Sequence, residues 1–65
     1  MNEDDLYDDC TVEYKGNQYQ YRGIVEMKNP DTGNWLKAAR YYDQGGEGKE
    51  YVREFDDFLA KFRVV

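Results

Sequence analysis

The sequence predicts a small, mainly β (α+β) fold with one short helix near its C-terminus, either an SH3-like barrel or an antiparallel meander of four to five strands. Two patterns predict it. Apolar and polar residues alternate with a period of two from residue 10 onward, and a helical i, i+3, i+4, i+7 pattern appears near the end of the chain. With 65 residues there is room for one domain, expected at 10–65 behind a flexible acidic tail at 1–9.

The first two strands are predicted as a hairpin. Val12 and Tyr14 alternate with polar residues, and Tyr19 and Tyr21 do the same after the Gly-Asn pair at 16–17. A two-residue loop at that pair would place Tyr14 opposite Tyr19 and Val12 opposite Tyr21. All four apolar side chains would then share one face of the sheet.

The second strand is expected to continue through Met27, with Gly23 marking a bulge or bend. Pro30 and Gly33 then predict a turn in which Gly33 takes the left-handed conformation. A third strand is expected at 35–42, and both of its faces mix apolar with polar residues. The alternation therefore leaves its inward face undecided.

The last third of the chain predicts a loop, a short strand and a helix. The glycine-rich stretch 43–49 lacks the Lys-Ser/Thr pair of a phosphate-binding loop and is expected to be a connection. A strand at 50–53 precedes a two-turn helix, and a terminal strand is expected at 63–65. The helical stripe is aromatic and aliphatic: Phe55, Phe58, Leu59 and Phe62.

The distribution of charge separates residues 1–9 from the rest of the chain. The formal net charge is −5; five of the 14 acidic residues lie in 1–9, where no basic residue occurs, so the remainder carries nine acids and nine bases. The segment is expected to be either a solubilising terminus or an anchor, in which Leu6 and Tyr7 dock while the acids steer the protein to a basic groove. Either way it is expected to contribute little to the core, and deleting it should leave the thermal midpoint nearly unchanged.

The inventory of reactive side chains argues against an enzyme. The chain has no histidine, no serine and one cysteine, so the commonest general base and several nucleophile and metal-ligand arrangements are missing. No cofactor and no metal are expected, since adjacent acid pairs do not converge on one ion. The lone Cys10 permits no intramolecular disulfide and is expected to be a small, half-buried residue. Together with the absence of a leader and of a long apolar run, it indicates a reduced, cytoplasmic setting without membrane contact.

Aromatic residues make up 17% of the chain and are expected to build most of its core. Tyr41, Tyr42, Tyr51 and Trp35 could instead form a cage for a methylated cation, or an exposed patch for protein contact, because Tyr and Trp dominate binding hot spots. Core packing is the favoured alternative. Arg22, Arg40 and Arg53 are expected to form salt bridges rather than a site.

Two segments resemble a family of small bacterial and phage-encoded proteins of unknown function. The matching residues are Tyr14-Lys15-Gly16-Asn17-Gln18-Tyr19 with Gly23-Ile24, and later Tyr51-Val52-Arg53 with Phe58-Leu59 and Lys61. The resemblance covers Tyr14 to Phe62 and implies a compact SH3-like fold and no known activity. Glu54 stands where the family usually has a proline, and the acidic N-terminal segment is an addition.

The leading hypothesis is a non-catalytic protein-interaction module, a phage-encoded modulator or inhibitor of a host protein, which binds a partner with a basic surface. Its alternatives are a nucleic-acid-associated or Tudor-like reader, against which the neutral body counts, and a structural component that forms oligomers by pairing edge strands. Direct nucleic-acid binding is not expected, and the chain is expected to be a monomer or a weak homo-oligomer. The predicted partner-binding residues are Glu3, Asp4, Asp5, Leu6, Tyr7, Asp8, Asp9, Trp35, Tyr41 and Tyr42.

Overall fold

The computed structural model describes residues 1–44 and 48–65. Its elements are a 3₁₀ turn at Glu3–Asp5, β1 (Thr11–Tyr14), β2 (Asn17–Lys28), β3 (Trp35–Asp43), β4 (Glu50–Glu54), α1 (Phe55–Lys61) and β5 (Arg63–Val64). The strands form one antiparallel sheet in the order β4-β3-β2-β1-β5. The mainly β class with one short C-terminal helix is thereby confirmed. Part of the predicted glycine-rich loop, residues 45–47, lies outside the described residues.

The β1–β2 hairpin has a different register from the predicted one. Val12 pairs with Tyr19 and Tyr14 pairs with Asn17. The predicted partners, Tyr14 with Tyr19 and Val12 with Tyr21, are therefore wrong. The shift preserves the alternation of faces, so the apolar side chains still share one side of the sheet as predicted.

The cause of the shift is the position of the hairpin turn. Lys15 and Gly16 form the two-residue loop, with φ of 52° and 79°. A type I′ turn needs positive φ at both central positions, and its twist matches that of the flanking strands. The loop thus starts one residue earlier than the Gly-Asn pair suggested, with a lysine in a conformation that usually takes Gly, Asn or Asp.

A bulge in β2 confirms the role predicted for Gly23. The register with β3 shifts between Tyr21, which pairs with Tyr41, and Gly23, which pairs with Arg40. Arg22 is the extra residue, and Gly23 has a φ of 117° that side chains rarely tolerate. Gly33, with φ of 75°, takes the left-handed conformation predicted for the next turn.

Helix α1 covers one face of the sheet with aromatic side chains. Phe55, Phe58 and Phe62 are buried, and the Phe58 and Phe62 rings stack with centroids 4.5 Å apart. Glu54 caps the helix, because its carboxylate accepts hydrogen bonds from the backbone N–H groups of Asp56 and Asp57. The predicted stripe is confirmed for Phe55 and Phe58, with Leu59 half-buried at its margin, whereas Phe62 is buried just beyond the helix as its extended C-cap.

The structure decides which face of β3 points inward. Ala39 and Tyr41 belong to the buried core beneath α1, whereas Tyr42 points to the other side of the sheet. Cys10 is also part of this core and is 2% exposed, deeper than the half-buried position expected from the sequence.

Candidate protein-interaction surface

The acidic N-terminal segment, residues 1–9, lies against the domain. The terminal amine of Met1 donates a hydrogen bond to the Leu59 carbonyl of α1 at 2.6 Å, and the side chains of Met1 and Leu6 pack against the core. The Glu3–Asp5 turn is closed by the Leu6 N–H, which donates to the Glu3 carbonyl. These contacts contradict the expectation that the segment contributes little to the core.

Two ion pairs attach the ends of the segment to the sheet. Glu3 pairs with Lys37 of β3 at 3.1 Å, and Asp9 pairs with Arg22 of β2 at 2.7 Å. The Asp9 N–H also donates to the Tyr21 carbonyl, and the chain turns there with an Asp9 φ of 67°. Two of the five acids of the segment, Glu3 and Asp9, thus have cationic partners in the sheet, so the segment and residues 10–65 are not electrostatically separate.

The other acids of the segment are exposed, and Asp8 also lines a cleft beside Arg22 and Arg40. Within residues 1–44 and 48–65, no ion pair involves Asp4, Asp5 or Asp8. Between them lies Tyr7, whose side chain is 63% exposed. Leu6 packs against the core and is partly buried, whereas Tyr7 points out, so the two residues of the predicted anchor have different environments.

Trp35 is the second exposed aromatic residue close to this segment. It is 65% exposed at the start of β3. Trp35 and Lys37 lie on the same face, about 7 Å apart along the strand. Lys37 binds Glu3 of the 3₁₀ turn, so Trp35 lies two strand residues from one attachment point of the segment. We refer to the exposed side chains of Asp4, Asp5, Tyr7, Asp8 and Trp35 as the acidic-aromatic surface.

Tyr41 does not belong to this surface, which corrects its prediction as a partner-binding residue. It is 4% exposed, and its ring packs on Tyr19, Tyr51 and Phe62. Its hydroxyl accepts a hydrogen bond from the Arg53 Nε at 3.4 Å. With few aliphatic residues available, the fold uses this tyrosine to fill the space between the sheet and α1.

The aromatic cage suggested by the sequence is not assembled. Tyr42 follows Tyr41 directly in β3, so the two side chains lie on opposite faces of the sheet. Trp35 is six residues from Tyr41 along an extended strand, about 20 Å away. No concave site therefore brings these rings together around one cation.

Tyr42 instead packs beneath two guanidinium groups. Arg22 and Arg40 lie 5.3 Å and 5.8 Å from the centre of its ring. The two arginines line a cleft of about 140 Å³ together with Asp8 and Asp9. Alternation from the core residues Tyr21 and Tyr41 turns Arg22, Arg40 and Tyr42 to the opposite face of the sheet, but the sequence had no signal for the β2–β3 register that brings them together.

Each of the three arginines singled out in the sequence forms a salt bridge, as predicted. Arg22 pairs with Asp9, Arg40 with Glu50 at 3.6 Å and Arg53 with Asp57 at 2.7 Å. The cleft beside Asp8 therefore holds paired charges of both signs. Such a lining offers no net attraction for a small anion or cation.

Comparisons with known proteins find no match: no family model matches the chain, and neither the curated proteins nor the solved structures contain a match to it. The resemblance to small bacterial and phage-encoded domains therefore stays a prediction. Among the described residues, no helix is long and apolar enough to cross a membrane, and no group of three or more Cys, Asp or Glu side chains is placed to hold a metal ion.

Proposed function

We propose that the protein is a non-catalytic interaction module that binds a basic surface on a partner protein through its acidic-aromatic surface. The observation that carries this proposal is the environment of Tyr7, whose side chain is 63% exposed beside Asp4, Asp5 and Asp8, three acids without an ion pair among the described residues. Exposed tyrosine and tryptophan side chains are the residues that contribute most to binding energy at protein interfaces.

The attachment of the segment supports this function. Met1, Leu6 and the two ion pairs of Glu3 and Asp9 hold the backbone on both sides of Tyr7. A partner that binds Tyr7 therefore has little chain entropy to remove, which is the general advantage of a preorganised site. The segment acts as a shaped part of the domain rather than as a free tail.

Charge favours a basic protein as the partner. Asp4, Asp5 and Asp8 would repel the phosphates of DNA or RNA, and the remainder of the chain offers no excess of basic residues. The same acids would accelerate encounter with a positively charged protein surface. The Tudor-like alternative loses its support, because the predicted cage residues Tyr41 and Tyr42 lie on opposite faces.

The resemblance to phage-encoded domains implies that the partner is a host protein. The module then acts as a modulator or inhibitor of that protein. Its small size suits this role, because a single acidic-aromatic surface can cover a basic site without chemistry of its own.

The proposal is tested by identifying and then measuring the partner. The immobilised full chain is exposed to a bacterial lysate at low and at high salt, and the salt-sensitive proteins are identified by mass spectrometry. Surface plasmon resonance then compares the wild type with Tyr7→Ala and with the triple variant Asp4→Asn/Asp5→Asn/Asp8→Asn. We expect the triple variant to lower the association rate about tenfold and Tyr7→Ala mainly to accelerate dissociation.

The matched control is Asp31→Asn, which removes one exposed acid in the turn between β2 and β3. It should leave both rates unchanged. A partner that binds all four proteins equally, or a captured nucleic acid in place of a basic protein, would contradict the proposal.

A further inference from the structure

One edge of the sheet is open along the second half of β2. This strand has 12 residues, but β1 pairs only with the four from Asn17 to Gln20, and the backbone bonds of Asp9 and Cys10 extend the contact to Tyr21. From Ile24 to Lys28, β2 pairs with β3 on one side. No other strand among residues 1–44 and 48–65 pairs with it on the other side.

The geometry of the following turn shows which backbone groups face this open edge. The Asn29 N–H donates to the Asn34 carbonyl at 2.8 Å, so Asn29 bonds toward the β3 side. Hydrogen-bonding direction alternates along an antiparallel strand. The N–H and C=O groups of Ile24, Glu26 and Lys28 therefore point to the open edge, where a further strand could pair with them.

The side chains along the edge are suited to a second copy of the same chain. Ile24 is 48% exposed, and Glu26 and Lys28 are exposed on the same face of the sheet. Neither Glu26 nor Lys28 forms an ion pair within the described residues. When two antiparallel copies pair about an axis at the residue between Glu26 and Lys28, Glu26 of each copy lies opposite Lys28 of the other.

We propose that the chain forms a two-fold symmetric dimer by antiparallel pairing of this β2 edge, with Met27 at the axis. Glu26 of each copy then lies opposite Lys28 of the other, which gives two ion pairs. The outward backbone groups of these two residues exchange hydrogen bonds across the interface. Across the interface the strands β4, β3 and β2 of each copy lie side by side in one sheet, while β1 keeps its place on the first half of the same β2 edge.

Charge decides between this register and its neighbours. An axis at Glu26 places the two Glu26 carboxylates directly opposite each other, which is unfavourable. An axis at Val25 places Lys28 opposite Arg22 of the second copy, where the Asp9 segment already occupies the edge. The register centred on Met27 avoids both conflicts.

The same comparison disfavours β4, one end of the sheet; the other end, β5, offers a partner strand only the two residues Arg63 and Val64. Pairing two copies with Val52 at the axis would place Glu50 opposite Glu54, again with like charges. Glu54 is moreover engaged as the N-cap of α1. The β2 edge is therefore the self-complementary one.

Sedimentation equilibrium over a concentration series tests the proposal. The weight-average mass of the full chain should rise above 7.8 kDa with concentration. Because the paired stretch is short, the dimer should be weak. Glu26→Lys and Lys28→Glu should each weaken dimerisation about tenfold, because each replaces two ion pairs by like charges. An equimolar mixture of the two variants should restore it, since every cross-strand pair is then of opposite sign.

The control is Asp4→Lys, which makes the same kind of charge change on the acidic-aromatic surface and should leave the mass unchanged. It lowers binding of a basic partner without affecting the dimer, so failure of this proposal and failure of the proposed function are distinguishable. A wild-type chain that remains monomeric at all concentrations overturns the dimer and leaves the edge to an extended peptide of another protein. The proposal is equally overturned if the mixed variants do not associate, or if Val52→Lys on β4 abolishes association.

Discussion

Arg53 shows how a single side chain joins three elements of this domain. From β4 its Nε donates to the Tyr41 hydroxyl of β3, and its Nη1 donates to Asp57 of α1 at 2.7 Å. The guanidinium also lies 5.1 Å from the centre of the Tyr14 ring. Hydrogen bonds with Tyr41 and Asp57 raise the pKa of Arg53 above its usual range.

The contact between Arg53 and Asp57 has the opposite effect on the pKa of Asp57. Hydrogen bonds from Arg53 and then Lys61 lower the pKa of Asp57 below its usual value of 3.8. A carboxyl group with a lowered folded pKa contributes stability above its unfolded pKa and loses that contribution as the pH falls through the folded pKa. The ion pairs of Asp57 therefore stabilise the fold at neutral pH and stop doing so in acid.

Asp57→Asn should lower the free energy of unfolding at pH 7, and the difference from wild type should shrink as the pH falls below about 4. Urea denaturation of both proteins between pH 7 and pH 2 measures it. Asp56→Asn is the matched control, because Asp56 is exposed and forms no ion pair within the described residues. A difference between wild type and Asp57→Asn that is constant over the whole range would mean that the ion pairs do not contribute.

At the scale of elements, local backbone chemistry explains the bulge and the turns. Gly23 and Gly33 occupy positive φ values that suit glycine; Gly23 was predicted as a bulge from its place inside a strand, and Gly33 as a left-handed turn residue from its place after Pro30. The β1–β2 turn is the exception, since it uses Lys15 at a φ of 52°. A lysine in the left-handed conformation carries strain that the flanking strand pairs must offset.

Lys15→Asn should therefore stabilise the protein by about 0.5–1 kcal/mol, because asparagine tolerates the first position of a type I′ turn. Thermal and urea denaturation measure the gain. Lys15→Ala keeps the strain and should give none. If Lys15→Asn is no more stable than Lys15→Ala, or less stable than the wild type, the assignment of the turn to Lys15 and Gly16 is wrong.

At the scale of the whole molecule, the two ends of the chain are brought together. The Met1 amine reaches the Leu59 carbonyl across 58 positions in sequence, and β5 pairs with β1 through Val64 and Val12. The N-terminal segment thus packs on the same core that α1 covers, with Met1 and Leu6 as its partly buried side chains. Its acids remain outside, where the interaction surface is proposed.

Leu6→Ala should destabilise the fold by about 1–2 kcal/mol, because it removes apolar surface that packs on the core. Tyr7→Ala, one residue away, should change stability by less than about 0.5 kcal/mol, because that side chain is mostly exposed. Chemical denaturation of the two variants makes the comparison. The sequence alone predicts that neither substitution changes the free energy of unfolding. If both variants are as stable as the wild type, that prediction is correct and Leu6 does not contribute to the core.

The parts of the structure that the sequence predicted correctly are those set by the local conformation of residues close together in the chain. Glycine stereochemistry located the bulge at Gly23 and the turn at Gly33, and periodicity located the strands and the face of α1 that is buried. The candidate site was predicted less completely. Tyr7 and Trp35 are exposed as required, whereas Tyr41 is buried.

The sequence by itself therefore determined the mainly β class, the order of the strands along the chain and the aromatic stripe of the helix, since these follow from local conformation and from a fixed side-chain period. Only the tertiary structure decided the inward face of β3, the position of Arg22 over Tyr42 and the docking of Leu6 and Met1. Each of these depends on contacts between residues distant in sequence. The physical reason is that periodicity states which side chains share a face, but the element that packs on that face decides whether it is core or surface.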